Sequence, residues 1–279
     1  MKTLRSIKRA FTMLELIMVI VILGIVSSIA SELIAQVYQS YIIQGAQHHS
    51  ALKTELTALQ IANRVSASIP GTIFRIKSDG SYESVQSPMA SSGDSYKGLQ
   101  WVGSDMDGFN YFDATNTKVG WSGLCDVEAS TSTAISTPGS SLSNVSTIIT
   151  NLAGGTLPNH SPSLYFAYDS SYHDISSLAT DDSIALSGTG ATNISEHYKI
   201  AWSSYALVIE GGDLYLYYNL PPIPQVSLTT VGAKKSLLIE DISTFKFQGN
   251  DGTMRFKICK DELIGQDFNI TSCKEKAVF

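Results

Sequence analysis

The stretch KRAFTMLELIMVIVILGIV, residues 8–26, places a glutamate near the start of an otherwise apolar run. From Phe11 to Ser31 the only ionisable side chain is Glu15. A helix of that length, at about 1.5 Å per residue, spans the hydrocarbon core of a bilayer. A carboxylate in an inserted helix costs about 2.5–3.5 kcal/mol at the centre and less near an end, so Glu15 calls for a partner. Lys2, Arg5, Lys8 and Arg9 precede the run. By the positive-inside rule they hold that end in the cytoplasm and put the remainder outside the inner membrane.

Three readings of this terminus compete. A secretory signal peptide finds support in Ser28-Ile29-Ala30, a small-x-small triplet that would release a protein cut after Ala30. A plain signal anchor is the second. Neither accounts for Glu15, nor for an amphipathic pattern that continues directly out of the apolar run. The third reading accounts for both. AFTMLE (residues 10–15) followed by LIMVIVILGIV (16–26) resembles the signal of type IV pilins and type II secretion pseudopilins.

That resemblance implies cleavage by a prepilin peptidase between Ala10 and Phe11, and N-methylation of the new Phe11 amine. Most members have glycine before the cut, whereas this chain has Ala10. It further implies that Glu15 of one subunit meets the Phe11 amine of its neighbour in a staggered helical filament. Pairing two such charges supplies register more than net stability. The implied partners are other pilin or pseudopilin subunits, the peptidase and methyltransferase, and an inner-membrane assembly platform. The large K-type tip pseudopilin typically lacks this glutamate, so Glu15 argues against that class.

Beyond Ser31, Glu32, Gln36 and Gln39 mark exit from lipid while Leu33, Val37 and Tyr41 keep one face apolar. The stripe thins at Gly45 and His48-His49, then resumes through Leu52, Leu56, Leu59, Asn63, Ser66 and Ile69, with Ile61, Ala62 and Val65 widening it. Pro70-Gly71 ends it. This face is expected to lie on a sheet built by the rest of the chain. Major pilins usually carry a proline soon after the apolar run. SSIASEL (residues 27–33) has none, which leans toward a minor subunit.

Downstream, short β-type runs alternate with turn clusters. TIFRI (72–76), GLQWVG (98–103) and SLYFAY (163–168) read as strands, followed by a polar segment to about Ser195. VGWSGLC (119–125) is ambiguous, and residues 143–152 predict a short helix halted by Gly154-Gly155. SYALVIEGGDLYLYYN (204–219) predicts a hairpin of central strands around a Gly-Gly-Asp loop. Its Tyr215, Tyr217 and Tyr218 are expected to pack against the long helix, with a ligand platform as the alternative. Residues 237–247 and 253–259 predict a second hairpin. The Leu237-Leu238 pair followed by Phe245-x-Phe247 resembles J-type minor pseudopilins and related large minor pilins.

The expected fold is therefore α+β: a basic leader (1–10), a transmembrane helix (11–35), an amphipathic helix (36–69) and a β-rich extracytoplasmic domain (70–279) packed on that helix. The net charge of −6 hides an asymmetry. Setting aside residues 1–10 leaves 15 basic against 25 acidic residues, a net −10. A body that acidic is poorly suited to binding phosphate backbones, so nucleic acid is not indicated.

Of three cysteines, Cys259 and Cys273 flank a polar stretch near the C-terminus and close a small loop if bridged, contributing roughly 3 kcal/mol in an oxidising compartment. Two unrelated thiols are the alternative, and the state of Cys125 is open. Neither Cys-x-x-Cys nor any common catalytic signature occurs, so no cofactor, metal or enzymatic activity is expected. Asp105–Asp113 is oxygen-rich but lacks calcium-loop spacing. His48-His49 diverge by about 100° on a helix and read as exposed polar residues. Sequons occur at Asn144, Asn193 and Asn269, the last preceded by Asp267. The leading function is a structural filament subunit serving secretion or DNA uptake. The alternative is a filament-tip binding module on the same anchor.

Overall fold

The computed structural model describes residues 12–87, 96–154, 161–167, 169, 171–250, 252–264 and 268–278. One helix dominates: α1, Met13–Ser66, 54 residues or about 80 Å long. The strands β1 (Phe74–Lys77), β2 (Tyr82–Ser84) and β3 (Tyr96–Gly103) follow, then a short α2 (Met106–Asn110). Next come β4 (Phe112–Asp113), β5 (Lys118–Val119), β6 (Asp126–Thr131), β7 (Ala134–Ser136) and α3 (Leu142–Leu152). The rest is β8 (Ser163–Phe166), β9 (His173–Ser177), β10 (Ser183–Leu186), β11 (Tyr198–Ala201), β12 (Ser203–Glu210), β13 (Asp213–Leu220), β14 (Lys234–Ile239), β15 (Ile242–Asn250), β16 (Thr253–Ile264) and β17 (Phe268–Val278). The architecture is α+β, a long apolar helix followed by antiparallel sheets.

One sheet has the order β14-β13-β12-β3-β1-β2, and a second β11-β8-β9-β10-β7-β6. A three-stranded sheet, β15-β16-β17, completes the cradle of α1. Ala58, Ile61 and Val65 of the helix pack among Leu99, Trp101, Leu207, Leu214 and Leu216 of the first sheet. From the third sheet come Phe245, Phe247, Met254, Phe256 and Ile258. A separate core gathers Val145 and Ile149 of α3 with Ile135, Leu164, Ile175 and Ile184 of the second sheet.

The helix buries a different face from the one its leucines predict. Ser50, Thr54, Thr57, Ala58, Ile61 and Val65 are buried, whereas Leu52, Leu56 and Leu59 remain 48%, 58% and 41% exposed. The two stripes are offset by two residues, about 200° around the axis, so they oppose each other. Small side chains let α1 approach the sheets closely. The Thr54 hydroxyl donates to the Ser50 carbonyl at 2.7 Å, which satisfies it without a partner from the sheet. Glu55 then ties the flank down through Lys274 at 3.3 Å and Lys276 at 2.6 Å, both on β17. The helix stops at Ser66, four residues before Pro70. Ser68 already pairs with Gly103, so sheet pairing rather than proline ends it.

The β12–β13 hairpin turns through Gly211 and Gly212, both at positive φ (64° and 96°), with Glu210 opposite Asp213. Such a two-residue turn matches the strand twist and suits glycine at both positions. Both strands lie inside the first sheet. Tyr215 and Tyr217 do not pack on α1. Alternation gives that face to Leu214 and Leu216. Tyr215 instead lies beneath the Lys235 ammonium, 4.7 Å away, and Tyr217 donates its hydroxyl to Glu210.

Residues 237–247 are not one strand. Asp241, at φ 58°, breaks the run and hands the chain from the first sheet to the third. Nor is the segment to Ser195 merely polar. It contains β9 and β10, whose isolated apolar residues Ile175, Ile184 and Leu186 are buried. Between β5 and Cys125 the chain is largely irregular, and Trp121 fills the space beneath α2 and α3.

A buried carboxyl joins these layers. Asp105, 1% exposed, donates its backbone N–H to the Ile200 carbonyl and accepts the Trp121 indole N–H on its own carbonyl. Its Oδ1 accepts the Gly108 N–H at 3.0 Å, while Oδ2 has no hydrogen-bond partner. A Cβ on residue 108 would fall 2.1 Å from that Oδ2, so only glycine fits. Burial pushes the Asp105 carboxyl up to about 6 from an ordinary 3.8.

A carboxyl raised on folding opposes the fold once ionised. Stability therefore increases as pH falls from above 6 toward 4, by at most about 3 kcal/mol. Glu55 has the opposite sign: Lys276 and Lys274 hold it below the usual carboxylate range, and its contribution is lost below about pH 4.5. The thermal midpoint should rise between pH 7 and 5, and Asp105→Asn should flatten that rise. An unchanged slope in the variant would refute the assignment. Separately, a disulfide joins Cys259 and Cys273, which face each other across β16 and β17. Cys273→Ser should lower the unfolding free energy by about 3 kcal/mol, read from denaturant midpoints with and without reductant.

Candidate functional site

The polar feature of the N-terminal helix is its first turn. Thr12 is the N-cap, and its Oγ1 accepts the Glu15 N–H at 3.3 Å. The Glu15 carboxylate reaches back in return, accepting the Thr12 N–H and hydroxyl, each at 3.0 Å. This reciprocal capping box satisfies donors that the first turn otherwise leaves orphaned. It aims the carboxylate toward the chain's N-terminal end, where the helix dipole favours negative charge. Ala10 and Phe11 lie outside the described residues, so the expected cleavage point and amine are not placed.

Behind that turn, every residue from Met13 to Ile42 is exposed. The helix is long and apolar enough there to cross a membrane. With no water available in a bilayer, helical backbone pairing is what allows a single segment to cross. The exposed apolar surface does not stop at that stretch. Tyr38, Tyr41 and Ile42 continue it, and Leu52, Leu56 and Leu59 extend it along the side of α1 turned away from the head. Counting apolar residues alone missed this division. The spacing of Ser50, Thr54, Thr57 and Ala58, small side chains at helical intervals, was the signal for the head-facing side.

The remaining motifs serve local structure. Asp113 accepts backbone N–H groups from Thr115 and Asn116 and the Asn116 side-chain amide, while Asp105 caps α2, so their oxygens do not converge. Among the described residues no group of three or more His, Cys, Asp or Glu is arranged to hold a metal. His49 sits 4.0 Å from Glu262 of β16. Asn144 is engaged within α3, its amide donating to Ser141 at 2.9 Å, whereas Asn193 and Asn269 are exposed. Cys125 is a buried free thiol whose value burial raises.

Comparison with curated proteins and with solved structures gives no match. Residues 5–31 match the family described as the prokaryotic N-terminal methylation motif. That motif covers the capping box, the carboxylate and the whole Phe11–Ser31 run, and it indicates a type IV pilin-like, prepilin-processed protein.

Proposed function

We propose that this chain is a minor pseudopilin or minor pilin, most akin to the J type. It serves as a structural subunit of a type II secretion or type IV pilus-like filament that drives protein secretion or DNA uptake. The observation that carries this reading is the exposed apolar face of α1. Past the membrane-spanning segment and a polar break at Gly45 and His48-His49, it resumes through Leu52, Leu56 and Leu59, on the side opposite the head. A helix that served only as an anchor would have no use for apolar surface about 30–40 Å beyond the bilayer. A helix bundled with other subunits would.

In this account the prepilin peptidase cuts between Ala10 and Phe11, and Phe11 is N-methylated. The new amine becomes the partner of Glu15 on an adjacent subunit. Each charge is expensive alone in an apolar bundle, and the pair is tolerated only when the stagger brings the two together, which sets register. Before assembly the subunit sits in the inner membrane as a single-pass protein, N-terminus cytoplasmic and head periplasmic, where an inner-membrane platform extracts it. No chemistry is assigned to the head, and neither cofactor nor nucleic acid enters the account.

N-terminal sequencing of the mature chain should begin at methylated Phe11. Glu15→Ala should leave cleavage intact yet reduce filament incorporation severalfold in a shear-fraction assay. A mature chain beginning at Ser31, or wild-type assembly of Glu15→Ala, would contradict the proposal. A second prediction concerns the outer stripe. Leu52→Glu with Leu56→Glu should leave the head's thermal midpoint within about 2 °C, since both residues are exposed, while blocking incorporation. Ala58→Glu, on the buried face, should instead unfold the head.

A further inference from the structure

Asp105 does more than cap α2. Its carboxyl is enclosed, with Oδ1 taken up by the Gly108 N–H and Oδ2 facing no donor. The enclosure is close-fitting: a methyl group on residue 108 would collide with that Oδ2, and one on residue 120 with the Gly108 carbonyl. A bare carboxylate oxygen there leaves its desolvation cost unmet, which a neutral carboxyl largely avoids. No cation offsets it among the described residues; the charge that acts on it is Asp107, of like sign. Tyr205 of β12 stands next, and Arg64 of α1 lies beyond, 5.9 Å from the centre of the Tyr205 ring. From α3 comes Val145 and from β11 the Ile200 carbonyl, neither of which titrates.

What closes this enclosure is slight. α2 has five residues, far below the length at which a helix holds itself. β4 and β5 have two residues each. Met106, Phe109, Phe112 and Val119 all keep more than a third of their surface in solvent. Both ends of the segment are pinned. At one end the Ser104 N–H donates to the Ala67 carbonyl and the Asp105 N–H to that of Ile200; at the other the Ser141 N–H donates to the Val119 and Gly120 carbonyls. A stretch tied at both ends and thinly packed between them opens without the rest of the domain unfolding.

We propose that residues 106–119 form a proton-gated flap, closed over Trp121 and Val145 while Asp105 is protonated and lifting to let its carboxylate reach water once it is ionised. The closed flap is held by the Gly108–Asp105 hydrogen bond and by the Gly120 N–H, which donates to the Tyr111 carbonyl at 2.8 Å. Phe109 adds its ring against Trp121, centre to centre 4.7 Å. Lifting breaks these contacts and bares Trp121, which is 3% exposed when covered. Burial raises the Asp105 carboxyl to about 6, so closure is favoured below that pH and weakens as pH rises through it. With an ordinary carboxyl in the open state, the loss between pH 5 and 7 is about tenfold. Because the flap lifts alone, opening occurs well short of global unfolding.

Hydrogen–deuterium exchange of the full chain in lipid nanodiscs, read by mass spectrometry and corrected for intrinsic rates, tests the flap. Peptides within 106–119 should lose about tenfold in protection from pH 5 to pH 7. At both pH values they should exchange faster than peptides of β8, whose Leu164 and Phe166 lie in the core of the second sheet. Asp105→Asn should make the protection of 106–119 independent of pH. Exchange of 106–119 no faster than that of β8 at pH 7 would mean that only whole-head unfolding frees Asp105, and would overturn the proposal. So would protection of 106–119 that ignores pH in the wild-type chain, or that still falls tenfold in Asp105→Asn. The wild-type comparison decides by itself should the variant not fold.

Discussion

The structure depends on one helix meeting two apolar demands with opposite sides of the same cylinder. The head takes the narrow side, where Ser50, Thr54, Thr57 and Ala58 allow close approach and Ile61 and Val65 supply the buried bulk. The wide side, from the apolar N-terminal stretch through Leu52, Leu56 and Leu59, is left facing outward. Had the leucines faced the head, the helix would stand farther from the sheets, and Glu55 could not meet Lys274 and Lys276 as it does. The division of faces thus sets both how the head seats and which apolar surface is left exposed.

Much of this was legible in the chain itself. The apolar run with its early glutamate specifies a helix long and apolar enough to cross a membrane, and the Gly211-Gly212 pair between two β runs specifies a hairpin of interior strands. What failed did so for identifiable physical reasons. Apolar counting assumes that a helix has one partner, so it assigned the leucine stripe to the head. Tyrosines 215 and 217 were misplaced because both faces of β13 are apolar enough to pack, and only the register of Leu214 and Leu216 decides between them. The break at Asp241 was hidden because a left-handed aspartate leaves no composition signal, only a backbone one.

The candidate site was legible to a different degree. Glu15 can be singled out from burial energetics alone, and the capping geometry shows that within a single chain the carboxylate is partnered through Thr12. A cleft beside the end of α1, lined by Ile69, Phe74 and the β8–β11 pair, could not be foreseen. Ile69, Phe166 and Lys199 lie far apart in the chain and meet only because β8 pairs with β11 while the end of α1 turns back toward β3. Local pattern carries no information about such long-range pairing.

The last strand has a mechanical consequence. Glu262 lies level with His49, Lys274 and Lys276 with Glu55, and Val278 shares a core with Val65, so the β16–β17 ribbon runs lengthwise beside α1. A tug along the helix therefore meets these contacts sideways, all at once, rather than peeling them open in turn. With Cys259 and Cys273 covalently joined near the ribbon's middle, tension entering at the foot of the molecule spreads into three strands together.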